Sequence, residues 1–196
     1  TCVKPSGTVS QLVDAASGIH PRHSAYYIRT VRADKKDPLT KFMTKKGFPV
    51  EDELLKPQSM SVFSFPVKAP VGALTRNSLS AIDHLKVWQV YSNHWCEHKP
   101  SITVSIQENE WMEVGSYVYE NFDEMSGISF LPMSEHTYKQ APYQDTTRED
   151  YEDLLKKMPK DVDWQALSEY EEEDNTMGSQ TLNCTGDVCE IVDIVR

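Results

Sequence analysis

The 196 residues contain no run approaching about 18 consecutive apolar side chains, which excludes a membrane-spanning helix. No basic, apolar and small-residue succession opens the chain, so no secretory leader is read. Positive charge is scarce. Twenty Lys and Arg stand against 30 Asp and Glu, a formal charge of -10, which opposes gripping a nucleic-acid backbone over a broad surface. Any anion site must therefore be local. Cysteine is scarce as well: only Cys184 and Cys189 of the four lie close together, which is not the framework of a small disulfide-stapled secreted protein. A reducing cytoplasm is the expected compartment, and the sequon Asn183-Cys184-Thr185 is then a chance match. No internal repeat is present. An initiator Met is missing too: Thr1 begins in what reads as a loop, so the chain is expected to continue something upstream, as a cut fragment or as the part following an intein.

What is present is enough for one globular core with a polar tail. Thr8 to Ala16 reads as a helix with Val9, Leu12 and Val13 on one face and Gly18 as its stop. Tyr26 to Val31 and Ser59 to Val67 read as strands, and Asp37-Pro38 caps a helix that runs to about Lys46 and ends at Gly47. A helix is expected from Ser80 to Tyr91, a strand at Ile102, Val104 and Ile106, a helix over Trp111 to Phe122 and a strand at Gly127 to Leu131. Strands alternating with helices argue for an α/β arrangement with parallel neighbours. Tyr151 to Met158 supports one more helix, and Asp163 caps a shorter one. Residues 1–170 form the expected globular part, and 171–196, opening on Glu171-Glu172-Glu173-Asp174, a flexible tail.

Two segments carry chemistry. Near the start, Pro5-Ser6-Gly7-Thr8-Val9 forms a turn feeding a helix, where unpaired backbone N–H groups beside hydroxyls favour an anion. An ordinary capped turn has the same pattern. Near the end, four residues separate Cys184 from Cys189, and Gly186 among them lets the chain turn so that the sulfurs meet. Incidental thiols or half of a zinc site are the bland alternatives, but no further ligands lie nearby in sequence. The preceding polar stretch from Glu171 to Asn183 spans roughly 20 Å as a flexible chain, enough to carry a dithiol between sites. His20, Arg22 and His23 fall in a loop close to the phosphate-type turn, as substrate or cofactor contacts or as plain loop structure. His94, Cys96 and His98 would share a face if extended, but no metal is assigned to them.

The wording of several stretches is more specific than their chemistry. Cys2 to Leu12, Gly18-Ile-His-Pro-Arg-His-Ser24, Tyr26 to Arg32, Asn93 to Val104, Trp111 to Asp123, Gly127 to Pro132 and Thr137 to Tyr143 resemble the catalytic protein of ribonucleotide reductases. The nearest likeness is to the monomeric adenosylcobalamin-dependent class, usually acting on ribonucleoside triphosphates, and it covers nearly the whole chain as that protein's C-terminal portion. The resemblance implies a section of a ten-stranded α/β barrel, adenosylcobalamin as cofactor, and a ribonucleotide substrate whose phosphates are held by Pro5, Ser6, Gly7, Thr8 and Val9. It further implies that Cys184 and Cys189 shuttle electrons from a thioredoxin-like reductant to an active-site disulfide. The radical-bearing Cys-x-Glu finger loop of such enzymes is not recognisable here, since Cys96 is followed directly by Glu97 and Cys2 has Lys4 two residues on. Both are read as barrel-lining or core thiols. The chain is accordingly expected to need the N-terminal portion of the same enzyme for activity. A non-catalytic thiol carrier or regulatory module, or a metal-dependent reductase of the same superfamily, stays open beside this reading.

Overall fold

The computed structural model describes residues 1–6, 9–133, 138–171, 181–185 and 188–192, the last two stretches through their backbone pairing. Its elements are α1 (Val9–Leu12), β1 (Tyr26–Asp34), α2 (Pro38–Lys45), β2 (Val50–Asp52), β3 (Met60–Lys68), α3 (Ala81–His94) and β4 (Ile102–Ile106). These are followed by α4 (Trp111–Glu120), β5 (Ile128–Pro132), β6 (Tyr143–Asp145), α5 (Arg148–Lys157), a 3-10 helix at Trp164–Tyr170, and β7 (Thr181–Thr185) with β8 (Val188–Val192). No helix among the described residues is long and apolar enough to cross a membrane.

Mixed α/β structure is what the periodicity predicts, but the parallel arrangement holds for only one of the two lobes. In the first lobe a four-stranded sheet has the order β2-β3-β1-β6, and every pairing in it is antiparallel. β1 and β2 both run against β3, so they point the same way, and β3 slots between them after the α2 crossover. The short β2, with Glu51 and Asp52 in it, carries little strand propensity, so the sequence hides the element that reverses the direction. In the second lobe β4 and β5 pair in parallel, with α4 in the connection between them.

Each lobe has its own apolar cluster. Phe42, Met43, Phe48 and Phe63 pack together under α2, where Trp164 and Tyr170 of the 3-10 helix close over Phe42 with ring centroids 5.5 Å away in each case. Leu85 and Trp88 of α3 meet Ile102, Val104 and Ile106 of β4 and Val114 of α4. Trp88 is fully buried and donates its indole N–H to the Pro100 carbonyl at 3.1 Å. Local signals fix the helix starts: Asp37 accepts from Leu39 N, Ser80 from Asp83 N and Thr147 from Asp150 N, each ending a run of orphan N–H groups.

One expectation fails locally. The helix expected from Thr8 to Ala16 is a single turn, because Asp14 takes a left-handed φ of 51° and Ala15 N turns back to the Ser10 carbonyl at 2.8 Å. Its Val9, Leu12 and Val13 stripe is exposed, and the buried residue is Ser10. Within the segment expected to be the tail, β7 and β8 pair antiparallel, and residues 172–180, 186–187 and 193–196 lie outside the described residues.

Candidate functional site

Between the lobes lies a cavity of about 510 Å³, within the usual range of small-molecule sites. β4 supplies one wall by strand alternation: Ile102, Val104 and Ile106 face the helices, so Thr103 and Ser105 face the cavity. Pro5 and Ser6 of the opening turn form another wall. Gly7 and Thr8 lie outside the described residues, and Val9 starts α1 at the exposed rim.

Ser6 is held from several directions. Its Oγ accepts from Ser10 N at 3.1 Å, its N–H donates to Ser17 Oγ at 2.7 Å, and that hydroxyl donates to the Ser6 carbonyl at 2.9 Å. The Ser17 carbonyl in turn lies 2.7 Å from His20 Nδ1, while His20 Nε2 accepts from Thr103 N at 2.9 Å. The tautomer with its proton on Nδ1 satisfies both bonds, so His20 fastens the turn to β4. Gly18 makes the close approach possible. Its φ is +57°, and a Cβ there would lie 2.9 Å from the Lys4 carbonyl oxygen.

The cavity is cationic although the chain is acidic. Arg22, Arg29 and Arg76 line it, and no Asp or Glu does among the described residues. Arg22 is only 4% exposed and donates to the Ala15 carbonyl at 2.8 Å and to Asp14 Oδ1 at 2.9 Å. Arg29 lies 4.5 Å from the centre of the Tyr143 ring and donates to the Pro142 carbonyl. Arg76 pairs with Asp145, which also sits 3.3 Å from His23 Nε2. Burial first, then the Arg76 charge, push the His23 ring down to about 4 against the pull of Asp145, so this imidazole is neutral near pH 7. It stacks on Tyr143 at 5.4 Å. Tyr27 is raised above its usual range, chiefly by burial, and donates its hydroxyl to Gln11 Oε1 at 2.9 Å.

Of the residues singled out from sequence, the cavity thus gathers Pro5, Ser6, His20, Arg22 and His23. Cys184 and Cys189 are direct cross-strand partners in the β7–β8 register. Cα atoms so opposed are about 4.5–5.5 Å apart, inside the span a disulfide bridges. The other two thiols stand apart from the cavity. Cys2 is exposed, so it is not a core thiol, because the segment carrying it lies along the surface of residues 95–101; Cys96 is half-buried. The extended face assumed for His94, Cys96 and His98 does not form, since α3 runs through His94, and no group of three metal-ligating side chains occurs among the described residues. Sequence reasoning missed Ser17, Arg29, Arg76, Tyr143 and Asp145. The pairing of β6 with β1 brings Arg29, Tyr143 and Asp145 together, and the loop after β3 adds Arg76.

No protein-family profile matches the chain. The adenosylcobalamin-dependent ribonucleoside-triphosphate reductase of Euglena gracilis is 30% identical over 194 residues, which is 96% of this chain and 26% of that protein. A probable enzyme of the same description from Dictyostelium discoideum is 31% identical over 172 residues, 86% of this chain and 22% of its own length. A crystal structure of a B12-dependent (class II) ribonucleotide reductase superposes with a TM-score of 0.72 at 26% identity, over 85% of this chain and 24% of the other. This chain is a homologue of the adenosylcobalamin-dependent ribonucleotide reductases. It spans about a quarter of the length of these reductases. The relationship reaches Lactobacillus leichmannii, whose adenosylcobalamin-dependent ribonucleoside-triphosphate reductase is 29% identical over 97% of this chain and 26% of that protein.

Proposed function

We propose that this chain is the C-terminal section of a radical ribonucleotide reductase that converts ribonucleoside triphosphates to deoxyribonucleotides. The observation that carries the reading is the cavity: Pro5 and Ser6 line it together with three arginines and, among the described residues, no Asp or Glu, in a chain whose net charge is -10. In this reading Pro5, Ser6, Gly7, Thr8 and Val9 hold the substrate phosphates through backbone N–H groups and hydroxyls. Thr103 and Ser105 belong to the inner wall of the ten-stranded barrel, and the remaining strands come from the N-terminal portion of the enzyme.

Cys184 and Cys189 form the shuttle dithiol, and their cross-strand register supports this role. One thiolate attacks the active-site disulfide left by a turnover, forming a mixed disulfide and releasing one active-site thiolate. The second thiolate then attacks its neighbour's sulfur in that mixed disulfide and releases the other. The tail leaves oxidised as a Cys184–Cys189 disulfide, the active site is reduced, and a thioredoxin-like dithiol regenerates the tail by the same exchange.

Adenosylcobalamin, named in the relatives' descriptions, would supply the radical. The described cavity has the size of a nucleotide site, not of a corrin, so no residue of this chain is assigned to the cofactor. The test is reconstitution. Joined with the N-terminal portion and given adenosylcobalamin and a ribonucleoside triphosphate, the protein is expected to form deoxynucleotide, while the chain by itself is inactive. With Cys184→Ser and Cys189→Ser, a single turnover should survive and thioredoxin-driven turnover should stop. Unimpaired thioredoxin-driven turnover would exclude the shuttle.

A further inference from the structure

Buried donors without acceptors are uncommon and costly, so each one asks what takes its proton. Four buried side-chain polar atoms among the described residues lack a partner: Ser10 Oγ, Arg22 Nε, His23 Nε2 and Arg76 Nε. Three of the four belong to residues lining the same cavity. His23 Nε2 is 3.3 Å from Asp145 Oδ1 but is not aligned to bond it.

The backbone places these residues together by construction. Arg22 N donates to the Leu74 carbonyl at 2.8 Å and Arg76 N to the Arg22 carbonyl at 2.9 Å, so the loop after β3 is laced to the segment before β1. Asp14 and Asp145 balance part of the charge from outside the cavity lining, each engaging a terminal nitrogen of its arginine and leaving Nε unused. Arg29 is committed to the Tyr143 ring and the Pro142 carbonyl. Among the cavity's arginines, Arg22 and Arg76 are the two whose Nε is buried without a partner. Neutral His23 beside them leaves its Nε2 without a partner and adds no repulsion.

We propose that the Arg22–His23–Arg76 corner is a second anion subsite, which takes the terminal phosphate of the substrate and so separates ribonucleoside triphosphates from diphosphates. The proposal rests on the reading of the cavity as the substrate-phosphate site. A guanidinium fork suits a phosphate with two free oxygens.

Two measurements test it. In the first, the reconstituted reductase is titrated with inorganic tripolyphosphate and, separately, with pyrophosphate, following the arginine Nε–H signals by nitrogen-15 NMR. Arg22 and Arg76 signals should move, with tripolyphosphate bound about tenfold more tightly than pyrophosphate. Signals that stay in place at saturation overturn the subsite. In the second, the reconstituted reductase carries Arg76→Gln. KM for a ribonucleoside triphosphate should rise about tenfold or more, while KM for the diphosphate changes much less.

Arg76→Gln also strips Asp145 of its cation, so it is repeated with Asp145→Asn. A triphosphate defect that persists in the double variant supports direct contact, and full recovery overturns it. Arg76→Lys keeps the charge but loses the fork, and should fall between wild type and Arg76→Gln. A wild-type protein that reduces no ribonucleotide contradicts the functional reading itself. One that reduces them, while Arg76→Gln impairs triphosphate and diphosphate alike, contradicts only the corner.

Discussion

The antiparallel lobe covers its apolar cluster with its own segments, Trp164 and Tyr170 closing over Phe42, whereas the β4–β5 pair has helices on one face and the cavity on the other. Both edges of that parallel pair are unpaired among the described residues. Parallel strands are found almost wholly inside larger sheets with both faces covered. The cavity thus lies on the open face of the parallel pair, and the antiparallel lobe contributes its cationic and aromatic wall.

Core truncations probe that contrast most strongly. Trp88→Ala in the second lobe and Phe42→Ala in the first should each cost about 3–5 kcal/mol, since both side chains are fully buried. The segment before β1 is bonded to β4 through His20 and to β1 through Gln11 and Tyr27, so denaturant unfolding should show one shared transition for either variant. Two separate transitions would mean that the lobes fold independently.

A smaller effect is expected at Gly127, just before β5. Its φ is +68° and a Cβ would lie 2.6 Å from the Pro100 carbonyl oxygen. Gly127→Ala should cost at least ~1–2 kcal/mol from the left-handed backbone alone. An unchanged unfolding midpoint would show that the link into β5 is more pliable than its backbone implies.

Stability should also depend on pH through the first lobe. His23 is held at about 4 in the folded protein against 6.5 ordinarily, so the unfolded chain binds its proton first as pH falls. The stabilisation is complete above about pH 6.5 and drains away between 6.5 and about 4. His23→Gln should flatten the urea midpoint over this window, and an identical slope in the variant would contradict the burial of a neutral ring. The smallest expected effect is Ser17→Ala, which frees the Ser6 backbone at a cost of about 1 kcal/mol. In the reconstituted reductase it should raise KM for the nucleotide and leave kcat nearly unchanged.

Much of the local structure was legible because it is decided locally. Asp37-Pro38 and Ser80 announce their helices, and the Ile102, Val104 and Ile106 alternation names the buried face of β4. The misreadings came from elements made by pairing, not by propensity. β2 and β6 are three residues long and carry acidic or amide side chains. The α1 stripe looks amphipathic, yet one left-handed residue, Asp14, ends the helix before it reaches a core. Pro5 and Ser6 were readable in the site because their chemistry sits in one short turn. Arg76 and Asp145 were not, because 69 positions separate two side chains that only the sheet makes neighbours.

The central claim is that the cavity between the lobes grips the phosphates of a ribonucleotide. Its most direct test is a crystal structure of the reconstituted protein with a ribonucleoside triphosphate bound. The account predicts phosphates against Pro5 and Ser6, with the outermost one reaching Arg22 and Arg76. A nucleotide found instead in the lysine-lined groove beside α2, at Lys41 and Lys45, with the cavity between the lobes empty, would contradict it.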